Sequence, residues 1–153
     1  MIIGIPKELN SAETRTSITP GTVKSYAKFG FNVVVESGAG DLSYISDTDL
    51  KEAGAEIVSS GNDVFQKSDI VVKVNPPTDE EISLMKEGSM LVSFMQTTKE
   101  TELVKKLQSK KINAISMHLI PRTTLAQKMD ALSSQSNIAG YKAVLMGACH
   151  LEK

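Results

Sequence analysis

Short apolar runs alternate with helix patterns along the whole chain, and this alternation constrains the fold more than any other feature of the sequence. Five runs rich in β-branched residues predict strands at Ile2–Ile5, Asn32–Glu36, Asp69–Val74, Met90–Met95 and Ile112–Met117. The runs are almost continuously apolar, which is typical of strands covered on both faces. Strands alternating with helices in this way predict one α/β domain over residues 1–153. Its core would be a doubly wound, mostly parallel sheet with helices on both faces, of Rossmann-like or flavodoxin-like type.

The segments between the predicted strands carry recognisable helix ends. Thr19 precedes a proline, a favourable order at a helix start, and Gly30 ends that helix. Two capping boxes, each a threonine with a glutamate three residues later, predict helix starts at Thr78 and Thr97, and Gly88 is the expected stop of the first. Further helices are expected near Ser46–Ala53, Asn62–Lys67 and Asn137–Lys153.

Composition argues against several classes of function. The 17 Lys and Arg residues are balanced by 18 Asp and Glu residues, so a net charge of −1 offers no basic surplus for nucleic-acid binding. No apolar run approaches the roughly 20 residues of a membrane helix, and the N-terminus lacks a signal-peptide pattern, so direct membrane insertion is not expected. Cys149 is the only cysteine, and His118 and His150 lie far apart, so neither a disulfide nor a metal site is expected. This cysteine usage is compatible with a reducing, cytoplasmic-type compartment.

A glycine-rich stretch, residues 37–43, follows the second predicted strand. It contains G-x-G, but Ser43 stands where a nucleotide-binding fingerprint needs glycine or alanine, and no clear helix opens after it. A phosphate cradle depends on a helix N-terminus that points at the anion. A strand-to-loop turn is therefore the favoured interpretation.

Charged residues follow the first and third predicted strands. Lys7, Glu8 and Arg15 come just after the first, at the sheet edge where open α/β folds bind ligands. Lys73 lies inside the apolar run of the third strand, near its end. Either Lys73 is an edge residue whose charge snorkels to water, or its charge is directed into the crevice. After the fourth strand, Thr97 and its neighbour are interpreted as helix caps.

The segment from Arg122 to Tyr141 is unusually polar and follows the last predicted strand. Arg122 can donate a fork of hydrogen bonds that Asp130 could anchor, and Gln127 and Ser133 can both donate and accept. Recognition of an amide or a ribose requires such groups. The alternative is a polar corner between helices, with caps at Ser136 or Asn137.

These residues resemble the N-terminal domain shared by alanine dehydrogenases and proton-translocating NAD(P) transhydrogenases. The resemblance spans the chain and rests on Lys7-Glu8, Glu13-Thr14-Arg15, Thr19-Pro20, residues 35–40, Ala53-Gly54-Ala55 and Val72-Lys73-Val74. The block from Ile120 to Tyr141 resembles the transhydrogenase alpha subunit specifically. The resemblance implies the N-terminal domain of an NAD(H)-binding component. It further implies that a partner component binds NADP(H), that a membrane component moves protons, and that hydride passes directly between the two nicotinamides.

The resemblance also implies roles for individual residues. Arg122 and Asp130 would hold the nicotinamide ring and its carboxamide, Ser133 would add a hydrogen bond, and Gln127 would face the second nucleotide. The implied catalytic residues are Arg122, Gln127 and Asp130, and the implied cofactor-binding residues are Arg122, Asp130 and Ser133. A homodimer on the cytoplasmic side, peripheral to a membrane complex, is expected, without a metal.

The chain departs from the family in three places. Arg15 and Lys73 match substrate-holding residues of alanine dehydrogenases, but Gln96 stands where their catalytic histidine is expected, and an amide is no acid–base group near neutral pH. Many transhydrogenases carry an arginine at the position of Leu125. The NAD-binding Rossmann domain that should follow the last helix is absent, so the isolated chain is expected to be inactive. A stand-alone binding or regulatory relic and a fragment of an alanine dehydrogenase remain alternatives.

Overall fold

The computed structural model describes residues 1–151, which form two compact units, residues 1–116 and a unit that begins at Met117. The first unit contains six strands: β1 Ile2–Ile5, β2 Asn32–Glu36, β3 Glu56–Val58, β4 Ile70–Val72, β5 Met90–Ser93 and β6 Asn113–Ser116. Its helices are α1 Pro20–Lys28, α2 Asp47–Glu52, α3 Gly61–Lys67, α4 Asp79–Leu84 and α5 Thr101–Ser109. The second unit contains α6, Ala131–His150, and two short 3-10 turns, Met117–Leu119 and Gln127–Met129.

The six strands form one parallel sheet in the order β3-β2-β1-β4-β5-β6. The first strand, β1, lies in the middle of the sheet, and β2 and β3 follow on one side of it. The chain then crosses back to the other side of β1, where β4, β5 and β6 follow in order. The predicted doubly wound parallel sheet is thereby confirmed, with the reversal of direction between β1 and β4.

Two apolar cores lie on opposite faces of this sheet. On one face, alternate residues of β1 and β2 pack with Val23 of α1 and Leu50 of α2. On the other face, Val71 of β4 and Leu91 of β5 pack with side chains from α3, α4 and α5. Alternate residues of one strand point to opposite faces, so the near-continuous apolar runs supply both cores.

Gly4 fixes the closest approach of a helix to the sheet. A Cβ atom at Gly4 would lie 1.8 Å from the Ser68 hydroxyl oxygen and 2.8 Å from a methyl carbon of Val64. Ser68 is fully buried and donates its hydroxyl to the Val64 carbonyl at 2.6 Å. The end of α3 therefore packs directly on β1, and only glycine fits there.

The sequence did not predict β3. Its three residues, Glu56–Val58, are partly exposed at the edge of the sheet and lie between the turn at Gly54 and the helix cap at Ser60. Such a short run carries too little apolar pattern to indicate a strand. The third, fourth and fifth predicted strands are each two or three residues longer than β4, β5 and β6.

The predicted end of α4 and the predicted start of α5 are wrong. Helix α4 ends at Leu84 because Met85 is extended, and Gly88 adopts its positive φ of 79° in the turn after the helix. Helix α5 begins at Thr101 rather than after Thr97. The Glu100 carboxylate accepts a hydrogen bond from the Gln96 amide at 2.7 Å, so that glutamate closes the loop before the helix instead of completing a capping box.

The last helix also begins earlier than predicted. It starts at Ala131 with Asp130 as its N-cap, and Ser136 and Asn137 are inside it. Asp130 takes precedence because its side chain accepts a hydrogen bond from the Ser133 amide, one of the free donors of the first turn. Lys153, the predicted end, lies outside the described residues.

Candidate functional site

The carboxyl ends of β1 and β4 are tied together by one carboxylate. Glu8 accepts hydrogen bonds from the Val74 amide at 2.5 Å and from the backbone amide and side-chain nitrogen of Asn75, both at 3.2 Å. The direction of the chain across the sheet reverses between these two strands, and open α/β sheets bind ligands at such a point. Glu8 thus satisfies backbone donors that lie beyond the strand ladder and keeps this edge of the sheet ordered.

Arg15 forms a two-pronged ion pair with Glu13 beside this edge. Its Nε and Nη2 atoms each lie 2.7 Å from a Glu13 oxygen, and the Glu13 side chain is only 8% exposed against 48% for Arg15. The guanidinium holds the pKa of Glu13 below its usual value, and the same bond raises the pKa of Arg15. Asn75 also donates to Glu13, at 3.4 Å. The predicted crevice residue Arg15 is therefore half exposed and oriented by a nearly buried carboxylate.

Lys73 is buried and does not reach water. Its ammonium nitrogen lies 2.6 and 2.8 Å from the two Glu81 oxygens, and the two side chains are 2% and 6% exposed. Glu81 also accepts the Thr78 amide at 2.6 Å as the third residue of α4. The snorkelling interpretation of Lys73 is wrong, because its charge is neutralised inside the protein. A role in the crevice stays a prediction.

The glycine-rich stretch forms a turn followed by a three-residue 3-10 helix, Asp41–Ser43. Gly38 has a φ of 75°, and its amide donates to Asp47 at 2.9 Å. The Ser37 hydroxyl donates to the other Asp47 oxygen at 2.6 Å. An internal carboxylate thus occupies two donors that a phosphate cradle would offer, which supports the interpretation as a turn.

In the second unit, Asp130 and Ser133 are in direct contact. Asp130 accepts the Ser133 amide at 3.1 Å and the Ser133 hydroxyl at 2.5 Å. The Ser133 hydroxyl lowers the pKa of Asp130 most, and the charge of Arg122 lowers it further. Among the residues that the structure describes, Arg122 and Asp130 interact through charge and not through a hydrogen bond.

Arg122 and Gln127 are exposed in the segment before α6. Gln127 opens the 3-10 turn Gln127–Met129, which leads directly to the Asp130 cap. Leu125, between them, is 94% exposed. The segment therefore presents one guanidinium, one amide and one ionised carboxylate within nine residues of chain, a set that can donate to and accept from a polar planar group.

Apolar side chains are exposed on all sides of α6. Five of its large apolar residues, between 49% and 72% exposed, are Ile138, Tyr141, Val144, Leu145 and Met146. A helix that is apolar all round is normally buried. No helix in residues 1–151 is long and apolar enough to cross a membrane. Within the same residues, no group of three potential metal ligands is found.

Sequence reasoning missed two of the residues that order these groups. The sequence marks Glu81 only as a capping residue, and no pattern singles out Asn75. A lysine within an apolar strand carries its own signal, because a buried ammonium requires a carboxylate partner nearby. The first acidic residues after Lys73 are the three that open α4, so this rule points to the start of that helix without choosing Glu81 among them.

Comparison with known proteins gives consistent matches. The family described as "Alanine dehydrogenase/PNT, N-terminal domain" matches residues 4–139. The chain is 50% identical over 148 residues to the NAD(P) transhydrogenase subunit alpha of Haemophilus influenzae, covering 97% of this chain and 28% of that subunit. It is 36% identical over 153 residues to the alanine dehydrogenase of Methanococcus maripaludis, covering 100% of this chain and 40% of that enzyme.

A solved structure agrees with these matches. The crystal structure of transhydrogenase from Sinorhizobium meliloti superposes with a TM-score of 0.93 at 35% identity, covering 100% of this chain and 46% of that one. The chain thus spans less than half the length of the relatives that it matches. Since the family match covers most of its residues, the chain belongs to the alanine dehydrogenase/PNT N-terminal domain family, as its resemblance indicates.

Proposed function

We propose that this chain is the N-terminal part of the NAD(H)-binding component of a proton-translocating NAD(P) transhydrogenase. The carrying observation is its 50% identity to a transhydrogenase subunit alpha, compared with 36% to an alanine dehydrogenase. In this role it works with an NADP(H)-binding component and a membrane component. It acts as a homodimer, peripheral to the membrane complex on its cytoplasmic side. The isolated chain is inactive.

Arg122, Asp130 and Ser133 bind the nicotinamide end of NAD(H) in this proposal. A carboxamide presents an N–H₂ donor and a carbonyl acceptor, which match the Asp130 carboxylate and the Arg122 guanidinium. The lowered pKa of Asp130 supports this role, because the carboxylate is ionised and accepts hydrogen bonds near neutral pH. The Ser133 hydroxyl holds that carboxylate in a fixed orientation at 2.5 Å.

Gln127 is exposed, and in the proposal it faces the second nucleotide. The bound cofactors supply the hydride chemistry, while these residues supply position and electrostatics. The nucleotide phosphates need a different binding element, since the Gly38 turn has its amide occupied by Asp47. This division explains why the chain carries residues for the ring but no phosphate cradle in its first unit.

A chimera tests the proposal directly. This chain replaces the matched segment of the H. influenzae subunit alpha, and hydride transfer is measured in the assembled enzyme. Arg122→Ala removes a charge-assisted hydrogen bond worth about 1.5–3 kcal/mol, so transfer slows roughly 10- to 100-fold. Lys128→Ala, an exposed cation in the same segment, is the matched control and leaves the rate within about twofold. Equal rates for Arg122→Ala and the unmutated chimera would refute the role of Arg122.

The isolated chain provides a second test. Titration calorimetry with NADH should detect weak or no binding, because the proposal assigns the main nucleotide site to polypeptide beyond this chain. Sub-micromolar binding by the 153-residue chain would contradict that assignment.

An alanine dehydrogenase fragment is the second candidate, and the position of Arg15 favours it. That arginine is oriented at the sheet edge by Glu13, where it could meet a carboxylate substrate. Two observations oppose this candidate: Gln96 cannot act as an acid–base group, and Glu81 neutralises Lys73. In the test, this chain replaces the matched segment of the M. maripaludis alanine dehydrogenase. Oxidation of alanine by that chimera, and loss of this oxidation in Arg15→Gln, would favour an alanine dehydrogenase fragment over a transhydrogenase.

A further inference from the structure

Two polar side chains lie side by side in the apolar core beneath α3, α4 and α5. The Lys73 amide donates to the Val92 carbonyl at 3.0 Å, which extends the β4–β5 ladder and places Lys73 beside Ser93. Side chains alternate along a strand, so these two share the sheet face of Val71 and Leu91. Both residues are buried, Ser93 completely. An ammonium-bearing side chain and a hydroxyl are therefore enclosed next to each other at the carboxyl ends of two inner strands.

Neither polar group has all of its hydrogen bonds within the chain. Among residues 1–151, the Ser93 hydroxyl has no hydrogen-bond partner. The Lys73 ammonium carries three N–H donors, and two of them reach the Glu81 oxygens at 2.6 and 2.8 Å. No acceptor in the part of the chain that the structure describes takes the third. Native proteins pair nearly all buried polar groups, because an unpaired one is costly.

The chemistry of this site selects a small neutral partner. Glu81 already balances the charge of Lys73, so an added anion would leave an uncompensated negative charge inside the core. The partner must accept from an ammonium and bond to a hydroxyl, and a site enclosed to this degree admits only a small molecule. Water meets these requirements, since a buried water typically makes about three hydrogen bonds to polar groups that otherwise lack partners.

We propose that Lys73 and Ser93 bind one internal water molecule at the carboxyl ends of β4 and β5. The water oxygen accepts the third N–H of the Lys73 ammonium and shares a hydrogen bond with the Ser93 hydroxyl, which can donate or accept. All three donors of Lys73 are then used, so a ligand in the crevice reaches this ammonium only by displacing the water. The inference is independent of the proposed function, because it uses only contacts within residues 1–116.

Ser116 provides an internal comparison. It lies beside Ser93 in the β5–β6 register and is also buried. Its hydroxyl donates to the Met95 carbonyl at 2.6 Å. Two neighbouring serines of similar burial therefore differ in one respect: among the described residues, only the hydroxyl of Ser116 has a protein partner.

Serine-to-alanine variants test the inference through the sign of the stability change. Ser116→Ala removes a buried hydroxyl that has its partner, so the urea midpoint of the 153-residue chain should fall. Ser93→Ala should lower the midpoint as well, because its hydroxyl is bonded to the water. If nothing bonds to Ser93, alanine removes an unpaired buried group and the midpoint rises. A midpoint for Ser93→Ala at or above that of the unmutated chain would therefore overturn the inference.

A double-mutant cycle tests whether Lys73 is the second partner of the water. The pair Lys73→Met/Glu81→Gln removes both charges, and with them the N–H donor that the water requires. In that background, Ser93→Ala should shift the urea midpoint by less than about half of its shift in the unmutated chain. Equal shifts in the two backgrounds would show that the partner of Ser93 does not involve Lys73, which contradicts the proposal.

A crystal structure of the unmutated chain identifies the partner directly. The expected result is one ordered water at about 2.7–3.2 Å from both the Lys73 ammonium nitrogen and the Ser93 hydroxyl oxygen. A direct bond between the two side chains, or a well-ordered site without that water, would refute the proposal. This measurement needs no variant, so it decides the question even if Ser93→Ala does not fold.

Discussion

The buried Lys73–Glu81 pair should be the most sensitive polar contact in the first unit. Glu81→Gln keeps the size of the side chain and its acceptor for the Thr78 amide, but removes the charge opposite Lys73. The lysine ammonium is then left 2% exposed without a counter-charge. Removing one partner of a buried pair costs about 3–5 kcal/mol. For a unit of this size, that loss lowers the melting temperature by roughly 10 °C or more.

A matched control exists on the same helix. Asp79 of α4 lies 2.6 Å from the Lys106 ammonium, the same distance as in the buried pair, but those side chains are 71% and 48% exposed. An exposed pair contributes about 0.2–1 kcal/mol. Asp79→Asn should therefore cost several-fold less than Glu81→Gln, although both changes turn a carboxylate of α4 into an amide.

Urea unfolding followed by circular dichroism measures both variants in the 153-residue chain. The double variant Lys73→Met/Glu81→Gln completes the comparison, because it removes both charges and should recover part of the loss seen in Glu81→Gln. A free energy of unfolding for Glu81→Gln within about 0.5 kcal/mol of the unmutated chain would refute the reasoning. So would equal losses in Glu81→Gln and Asp79→Asn.

Three further predictions concern packing, acid stability and the start of α6. Gly4→Ala should lower the free energy of unfolding by about 1–3 kcal/mol or more, because the new methyl group meets Ser68 at 1.8 Å. Gly21→Ala, whose methyl group would meet nothing closer than 3.8 Å, is the control, and an equal loss there would contradict the packing explanation. Arg15 lowers the pKa of Glu13, so the ionised carboxylate stabilises the fold above about pH 4.5, and this stabilisation is lost as the pH falls through the folded pKa. Glu13→Gln should therefore flatten the acid side of the curve of unfolding free energy against pH. An unchanged acid side would contradict the role of Glu13. Asp130→Ala should reduce far-ultraviolet helicity by removing the cap of α6 while Asp130→Asn retains it, and equal helicity in all three proteins would show that the cap is dispensable.

The fold was predictable because four of its six strands, β1, β2, β4 and β5, are inner strands with apolar runs. A fifth run marks the edge strand β6, and the alternation of these runs with helices indicates a doubly wound parallel sheet. The edge strand β3 was missed because it has three residues and only partial burial. Local pattern therefore identifies strands with an apolar run of four residues or more and overlooks the shortest one.

The candidate site was predictable in its residues and not in its contacts. The sequence singled out Asp130 and Ser133, but competing caps at Ser136 and Asn137 concealed that Asp130 begins the helix. Lys73 was recognised as unusual, whereas its partner lies beyond a Pro76-Pro77 turn whose geometry no spacing rule specifies. Side-chain pairing across a turn depends on tertiary packing, which cannot be read from the local pattern of a single sequence.

The Asp130 cap has a consequence for any ligand that donates a hydrogen bond to this carboxylate. Two of its lone-pair positions already accept the amide and hydroxyl of Ser133, so a ligand and the first turn of α6 draw on the same charge. Thermodynamic linkage makes such an effect reciprocal. A ligand that binds Asp130 while the carboxylate keeps its bonds to Ser133 makes the start of α6 more rigid. A ligand that draws the carboxylate away from Ser133 frays the first turn. Ligand affinity at Asp130 and the order of the first turn of α6 are therefore coupled. A variant that frays this turn should change the affinity, and a bound ligand should change the helicity at the start of α6.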